Sequence, residues 1–306
     1  MTAGERWASG ELDALRAGRF GLRAWAGFLA ASFQRAADTR RARPQLTRQA
    51  RAWSAVGLVS GAAVCTWARR AAVPAPRPLR FTLWWLATSA MLDWHLGMVE
   101  GPAGEERERL TAADALTLLR LWSVPLLAAQ GDPPTSRPAY TALIASAAAT
   151  DALDGPLARR IAATRLGSDL DKAADALTIA AASRAARRAG WLSASTARLL
   201  TARSVLPVAA VAATYFRTSQ RPPIDTFGAT RPLTPALLGG LLAAPFSRRS
   251  GAALAGAASI AFLVLDRHRT SPPGRRSAAH SHAWESPATA ASTTRSSLAR
   301  ETEHCV

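Results

Sequence analysis

Residues 138–150 read PAYTALIASAAAT, residues 151–159 read DALDGPLAR, and residues 167–175 read GSDLDKAAD. The first of these segments is rich in alanine and carries no charge, which favours a helix. It is shorter than the about 20 residues that cross a bilayer core, so a spanning helix has to continue into the carboxylates that follow. Carboxylates at the edge of a membrane helix are costly and mark functional sites. The stretch therefore predicts a membrane helix that ends in a site.

Apolar blocks of the same kind recur on both sides of this stretch. Alanine and leucine are abundant and sustained alternation with period two is absent, so the blocks are typical of helices. Short arginine-bearing connectors between charge-poor blocks are the pattern of a polytopic membrane protein. We predict an all-α fold: a polytopic transmembrane helical bundle with six core helices and one or two extra N-terminal hydrophobic segments. The blocks lie at 52–68, 81–99, 112–130, 138–150, 173–186, 199–216, 232–247 and 250–265.

Composition divides the chain into four parts. Residues 1–51 are a basic amphipathic arm, which forms either a helix lying on an anionic leaflet or a partly disordered cytoplasmic segment. Residues 52–110 hold the extra hydrophobic segments, and residues 111–266 hold the membrane domain. Residues 267–306 are rich in Arg, Ser, Pro and Thr and offer little apolar surface, so we predict a disordered tail.

The positive charge of the chain has two possible partners. The 38 Lys and Arg residues against 21 Asp and Glu give a net charge of +17, which suits nucleic acid as well as anionic lipid. The arginines flank apolar blocks instead of forming one stripe, and no zinc-finger, RNP-like or basic-region motif is present, so we predict a lipid bilayer and no nucleic acid as partner. The arginine-rich connectors predict a multi-pass protein of the cell membrane with its active site facing the cytoplasm.

The carboxylates after residue 150 are spaced for one site. Asp151 and Asp154 are three residues apart, while Gly167, Asp171 and Asp175 follow a four-residue spacing, so each set lies on one helical face. Two such helices can bring four carboxylates together. Like charges at that distance repel, and a divalent cation removes the conflict; ligands that are all oxygen favour Mg²⁺ or Mn²⁺. The alternative is a pair of polar helix ends in water.

The pattern D-x-x-D-G-x-x-A-R followed by G-x-x-x-D-x-x-x-D, complete from Asp151 to Asp175, resembles the signature of the CDP-alcohol phosphatidyltransferases. The resemblance covers about residues 110–266. It implies six transmembrane helices, with the motif joining the second and third, and a homodimer. It also implies a two-metal centre of Mg²⁺ or Mn²⁺ held by Asp151, Asp154, Asp171 and Asp175.

The resemblance further assigns individual roles. Asp175 would be the general base as well as a metal ligand. The positions that would contact the cytidine diphosphate of the donor are Gly155, Ala158 and Arg159, and Gly167 would allow close helix approach beside them. The segment LTLLR at 116–120 is similar to a first-helix segment of the family. Thr117 and Arg120 of this segment would therefore join the residues that bind the CDP-linked donor. Asp114 stands where the family often has Asn.

The activity that the resemblance implies is transfer of a phosphatidyl group from CDP-diacylglycerol to an alcohol acceptor, with release of CMP, in phospholipid biosynthesis. A phosphatidylglycerophosphate synthase-like enzyme, with glycerol 3-phosphate as acceptor, is the first choice. A phosphatidylinositol phosphate synthase and a cardiolipin synthase-like transferase are alternatives, and a non-catalytic basic membrane scaffold is the alternative from another class. Four arginines are candidates by position for binding a phosphorylated acceptor: Arg165, Arg203, Arg217 and Arg221.

Overall fold

A computed structural model describes the backbone of residues 3–101, 104–161, 164–218 and 233–267, and the side chains of 4–101, 104–153, 164–218 and 235–262. Within these ranges the chain forms ten α-helices and no strand, so the all-α prediction is confirmed. The helices belong to one compact unit, Met1–Asp266. They are α1 Ala3–Ala17, α2 Leu22–Ala42, α3 Pro44–Arg70, α4 Pro78–Trp94, α5 Ala112–Ala129, α6 Arg137–Ile161, α7 Arg165–Arg188, α8 Ala194–Thr218, α9 Leu233–Ala243 and α10 Arg248–Arg267.

Six of these helices, α5 to α10, follow residue 111, as the apolar blocks predict. The first hydrophobic segment, 52–68, lies within α3, which begins at Pro44 and therefore passes through residue 51 without a break. The arm 1–51 accordingly contributes α1, α2 and the start of α3. The tail 267–306 lies outside the described residues apart from the backbone of Arg267.

Helix α5 lies at the centre of the packing, where it contacts α3, α4, α6 and α7. Its first half contributes Leu118 and Leu121 to an apolar cluster with α3 and the start of α7. Its second half contributes Val124 and Leu127 to a second cluster, which extends over α6 to α10. Because α5 belongs to both clusters, it fixes the relative position of the helices that carry the aspartates.

The N-terminal helices attach to the later ones through polar contacts. Gln49 of α3 holds both backbone groups of Leu110: its Nε2 donates to the carbonyl oxygen at 3.2 Å, and its Oε1 accepts from the N–H at 2.8 Å. The backbone N–H of Arg165 donates to the carbonyl of Glu100 at 2.9 Å, and the Arg165 side chain forms an ion pair with Glu5 of α1. The segments that begin α5 and α7 are therefore held by the N-terminal region.

Two of the described helices, α5 and α8, are long and apolar enough to cross a membrane. Half of the apolar stretch of α5 is buried inside the bundle, whereas α8 keeps apolar side chains such as Val205 and Leu206 exposed. Exposed apolar side chains also line α3 and α4, at Val56, Val59, Leu83 and Leu86. Such surfaces suit contact with lipid.

Candidate active site

Arg120 of α5 lies among three of the predicted aspartates. Its guanidinium is 2% exposed, and its Nη2 donates to Oδ1 of Asp171 at 2.5 Å. Its Nη1 forms an ion pair with Asp175 and lies 3.8 Å from Oδ1 of Asp151. The three carboxylates are between 36% and 38% exposed, so they border solvent while the guanidinium does not. Three helices thus bring their charged side chains to one point.

The aspartates meet because of where two helices end and begin. Helix α6 carries Asp151 and ends at Ile161, and α7 begins at Arg165, so only three residues separate the two helices in the chain. Asp171 and Asp175 are one helical turn apart on α7 and share a face. Helix α5 packs against both neighbours and presents Arg120 to that face. The convergence predicted from the spacing is therefore present for Asp151, Asp171 and Asp175.

Three carboxylates against one guanidinium leave a formal excess of two negative charges. All the donor atoms are carboxylate oxygens, which is the ligand chemistry of Mg²⁺ and Mn²⁺, so the donor set fits a hard divalent cation. Among the side chains that the structure describes, no three acidic, His or Cys groups are close enough together to hold a metal ion by themselves. The fourth predicted ligand, Asp154, lies on α6 with its side chain outside the described residues.

A buried polar network fixes α7 against α5. Asp114 is 1% exposed, and its Oδ2 accepts from the N–H and the hydroxyl of Thr111 at 2.7 and 2.9 Å, which forms the capping box of α5. Its Oδ1 accepts from the hydroxyl of Thr164 at 2.7 Å, and Thr164 caps α7 by accepting from the N–H of Gly167 at 2.9 Å. One carboxylate therefore joins the first turns of both helices.

Gly167 allows the close approach that this network needs. A Cβ at position 167 would collide with Oδ1 of Asp114 and lie 2.9 Å from Oγ1 of Thr164. Any larger residue would push the start of α7 away from α5. The position therefore acts through helix packing beside the aspartates.

The other positions predicted to bind the donor lie on α5 and α6. Thr117 is buried, and its hydroxyl donates to the carbonyl of Ala113 in its own helix at 3.2 Å. Gly155, Ala158 and Arg159 belong to α6, but their side chains lie outside the described residues. Sequence reasoning missed the network of Asp114, although T-x-x-D at 111–114 is a recognisable capping signal.

The four arginines that were candidates for an acceptor phosphate differ in their surroundings. Arg165 is already paired with Glu5. Arg217 is exposed near the end of α8, and Arg221 lies outside the described residues. Arg203 is only 5% exposed, and it lies on α8, which packs against α7.

Comparison with protein families gives a match over the part of the sequence that holds these residues. The sequence model of the CDP-alcohol phosphatidyltransferases matches residues 110–265, which is half of the 306-residue chain and includes α5 to α10. The chain belongs to this family. Its members transfer a phosphatidyl group from a CDP-alcohol to an acceptor, so the chain is a transferase of phospholipid biosynthesis and the enzyme prediction is confirmed.

Comparison with curated proteins and with solved structures gave no match. Family membership and the two apolar helices together indicate a membrane protein. CDP-alcohol phosphatidyltransferases generally depend on divalent metal, in keeping with the donor set around Arg120. The matched region begins at Leu110, so α1 to α4 lie outside the family domain.

Proposed function

We propose that the chain transfers the phosphatidyl group of CDP-diacylglycerol to glycerol 3-phosphate, forming phosphatidylglycerophosphate and CMP. The observation that carries the proposal is the convergence of Asp151, Asp171 and Asp175 on Arg120 inside the family domain. These acidic groups come from the two helices that hold the complete motif. An exposed pair of polar helix ends would have no need of a buried arginine from a third helix.

The aspartates would hold the metal and the reacting groups. Asp151, Asp154, Asp171 and Asp175 would bind Mg²⁺ or Mn²⁺, which when bound neutralises the donor diphosphate and stabilises the leaving CMP. Arg120 pairs with Asp171 and Asp175, and because its guanidinium is planar and always charged it fixes the orientation of both carboxylates.

Asp175 is the proposed general base. It accepts the proton of the acceptor hydroxyl, and the hydroxyl oxygen forms a new bond to the β-phosphorus of the donor. The bond from that phosphorus to the bridging oxygen breaks, and CMP leaves with the electron pair. Gly155, Ala158 and Arg159 are proposed to bind the cytidine diphosphate: the two small residues leave room beside the backbone, and arginine suits a phosphate. Gly167 keeps the start of α7 close to α5 beside it, and Thr117 of α5 is proposed to add to donor binding.

We also propose a multi-pass topology in which α5 to α10 form the membrane domain and the aspartates face the cytoplasm. The exposed apolar side chains of α3, α4 and α8 support contact with lipid. The arginine-rich arm and tail support a cytoplasmic location for both ends. A homodimer is proposed from the family resemblance, and light scattering on the protein in detergent would test it by giving the mass of two chains.

The test is release of CMP by purified protein in detergent. CDP-diacylglycerol and Mg²⁺ or Mn²⁺ are supplied with glycerol 3-phosphate, inositol phosphate or phosphatidylglycerol in parallel, and the lipid product is identified by mass. We expect phosphatidylglycerophosphate, and no CMP when the metal is chelated. Turnover with either of the other two acceptors alone would overturn the acceptor assignment. Folded protein that releases no CMP with any of the three would contradict the proposed reaction.

A further inference from the structure

Arg203 is a buried cation whose Nε lacks a hydrogen-bond acceptor. The residue is 5% exposed, and its Nε is buried with no hydrogen-bond partner. Among the described side chains, no carboxylate lies within ion-pair distance of its guanidinium. The opposite situation holds at Arg120, which is equally buried but contacts three aspartates.

A guanidinium in this position is costly to keep. It stays protonated in proteins, so burial cannot be relieved by loss of the charge. The ring of Phe262 on α10 lies under the guanidinium, with 4.2 Å between Cζ and the ring centroid. This cation–π contact covers one face of the plane and gives no acceptor to the N–H of Nε at its edge. An anion would satisfy that donor and neutralise the charge.

The α7–α8 hairpin places this cation close to the proposed base. Asp175 lies 16 residues before Trp191 at the turn, and Arg203 lies 12 residues after it. The difference of four residues means that Asp175 and Arg203 are offset by about 6 Å along the helix axes. Asp175 is also the acidic group that attracts Arg203 through space. Thr178 lies at nearly the same height as Arg203, and its buried hydroxyl has no hydrogen-bond partner either.

We propose that Arg203 binds the phosphate of a phosphorylated acceptor alcohol, with the Thr178 hydroxyl as a second donor at the same level, and so restricts the acceptor to phosphomonoesters. This inference rests on the proposed function, because it takes Asp175 as the base that faces the acceptor hydroxyl. Arg203 lies on the far side of Asp175 from Asp171, away from the aspartates that would hold the donor diphosphate. The separation of about 6 Å suits a short phosphorylated polyol with its hydroxyl at Asp175.

The alternative source of the anion is the donor diphosphate, and steady-state kinetics separates the two. The variants are Arg203→Gln, Arg203→Lys and, as a matched control, Arg198→Gln on the exposed side of the same helix. For Arg203→Gln we expect the KM for glycerol 3-phosphate to rise about tenfold or more, because a charge-assisted contact is lost. The KM for CDP-diacylglycerol should stay unchanged, Arg203→Lys should recover part of the loss, and unphosphorylated glycerol should not be an acceptor.

A stability measurement separates this role from a structural one. If Arg203 is kept for an anion, the ligand-free Arg203→Gln protein should melt at the same temperature as the wild type or higher, since an unpaired buried charge is removed. Glycerol 3-phosphate should raise the melting temperature of the wild type and of Arg198→Gln, and not that of Arg203→Gln.

Several results would overturn the inference. These are equal turnover of glycerol and glycerol 3-phosphate, a rise in KM for CDP-diacylglycerol instead, or a lower melting temperature of Arg203→Gln with unchanged kinetics. If the wild type releases no CMP with any acceptor, the proposed reaction fails by itself. The anion site is then decided by the melting experiment, in which protection by glycerol 3-phosphate that is lost in Arg203→Gln supports the site and absence of protection refutes it.

Discussion

Replacement of Gly167 by alanine tests the packing that brings the aspartates together. The added Cβ would collide with Oδ1 of Asp114, the atom that accepts the hydrogen bond from Thr164, and would lie 2.9 Å from Oγ1 of Thr164. The side chains of Asp114 and Thr164 cannot move aside without breaking other hydrogen bonds, because Asp114 also closes the capping box of α5 and Thr164 also caps α7. Helices α5 and α7 would therefore have to separate at this end.

The magnitude follows from three contributions. Overpacking a buried site costs about 1 to 3 kcal/mol, and the lost hydrogen bond from Thr164 to a carboxylate adds about 1.5 to 3 kcal/mol. The higher helix propensity of alanine returns about 1 kcal/mol. We expect Gly167→Ala to lose about 1.5 to 5 kcal/mol, which at about 2 °C per kcal/mol for a unit of this size lowers the melting temperature by roughly 3 to 10 °C.

The assay is thermal unfolding in detergent, with Gly256→Ala as the matched control. Gly256 also lies inside a helix, but a Cβ there meets no heavy atom within 4 Å, so this variant should melt at or slightly above the wild-type temperature. Gly167→Ala should also release CMP more slowly, because displacement of α5 moves Arg120 away from Asp171. A Gly167→Ala protein as stable as Gly256→Ala would refute the reasoning.

Three further changes follow from the ion pairs. Arg120→Gln leaves three carboxylates facing one another, so the free energy of unfolding of the metal-free protein should fall by about 2 to 4 kcal/mol. Mg²⁺ should raise the melting temperature of this variant more than that of the wild type. An equal rise in both proteins would contradict a metal site formed by the aspartates around Arg120. Glu5→Gln removes the ion-pair partner of Arg165, which is 14% exposed at the start of α7, and should lower the melting temperature. Asp13→Asn, in an exposed pair with Arg16, should not. Equal melting temperatures of the two variants would contradict the claim that α1 holds the start of α7 in place. Asp132→Asn breaks a pair with Arg188 in which both side chains are more than one third exposed, so a loss above about 1 kcal/mol in chemical unfolding would be unexpected.

Much of the helical architecture could be predicted from composition. The abundance of alanine and leucine indicates helices, and charged connectors mark their ends, so α5 to α10 correspond to six of the apolar blocks. The convergence of Asp151, Asp171 and Asp175 follows from their spacing and from one short connector. Both inferences depend on contacts within a helix or across a single turn.

Contacts between distant segments could not be predicted in this way. Arg120 is assigned to the donor site by resemblance, but its ion pairs join residues 51 and 55 positions apart, which depends on how α5 packs against α7. The pair of Glu5 and Arg165 joins residues 160 positions apart, and no local pattern indicates it. Arg203 could not be distinguished from Arg165 and Arg217 in the sequence, because only burial and the absence of an acceptor set it apart.

The most direct test of the account compares two aspartates of the same helix. Asp169 and Asp175 both lie on α7, and both side chains are 36% exposed, but Asp169 lies 3.9 Å from Lys172 while Asp175 is paired with Arg120. The measurement is the initial rate of Mg²⁺-dependent CMP release from CDP-diacylglycerol by Asp175→Asn, Asp169→Asn and the wild type. We predict that Asp175→Asn loses at least about 100-fold while Asp169→Asn keeps the wild-type rate. A wild-type rate in Asp175→Asn, or an equal loss in both variants, would contradict the assignment of the catalytic centre to the aspartates around Arg120.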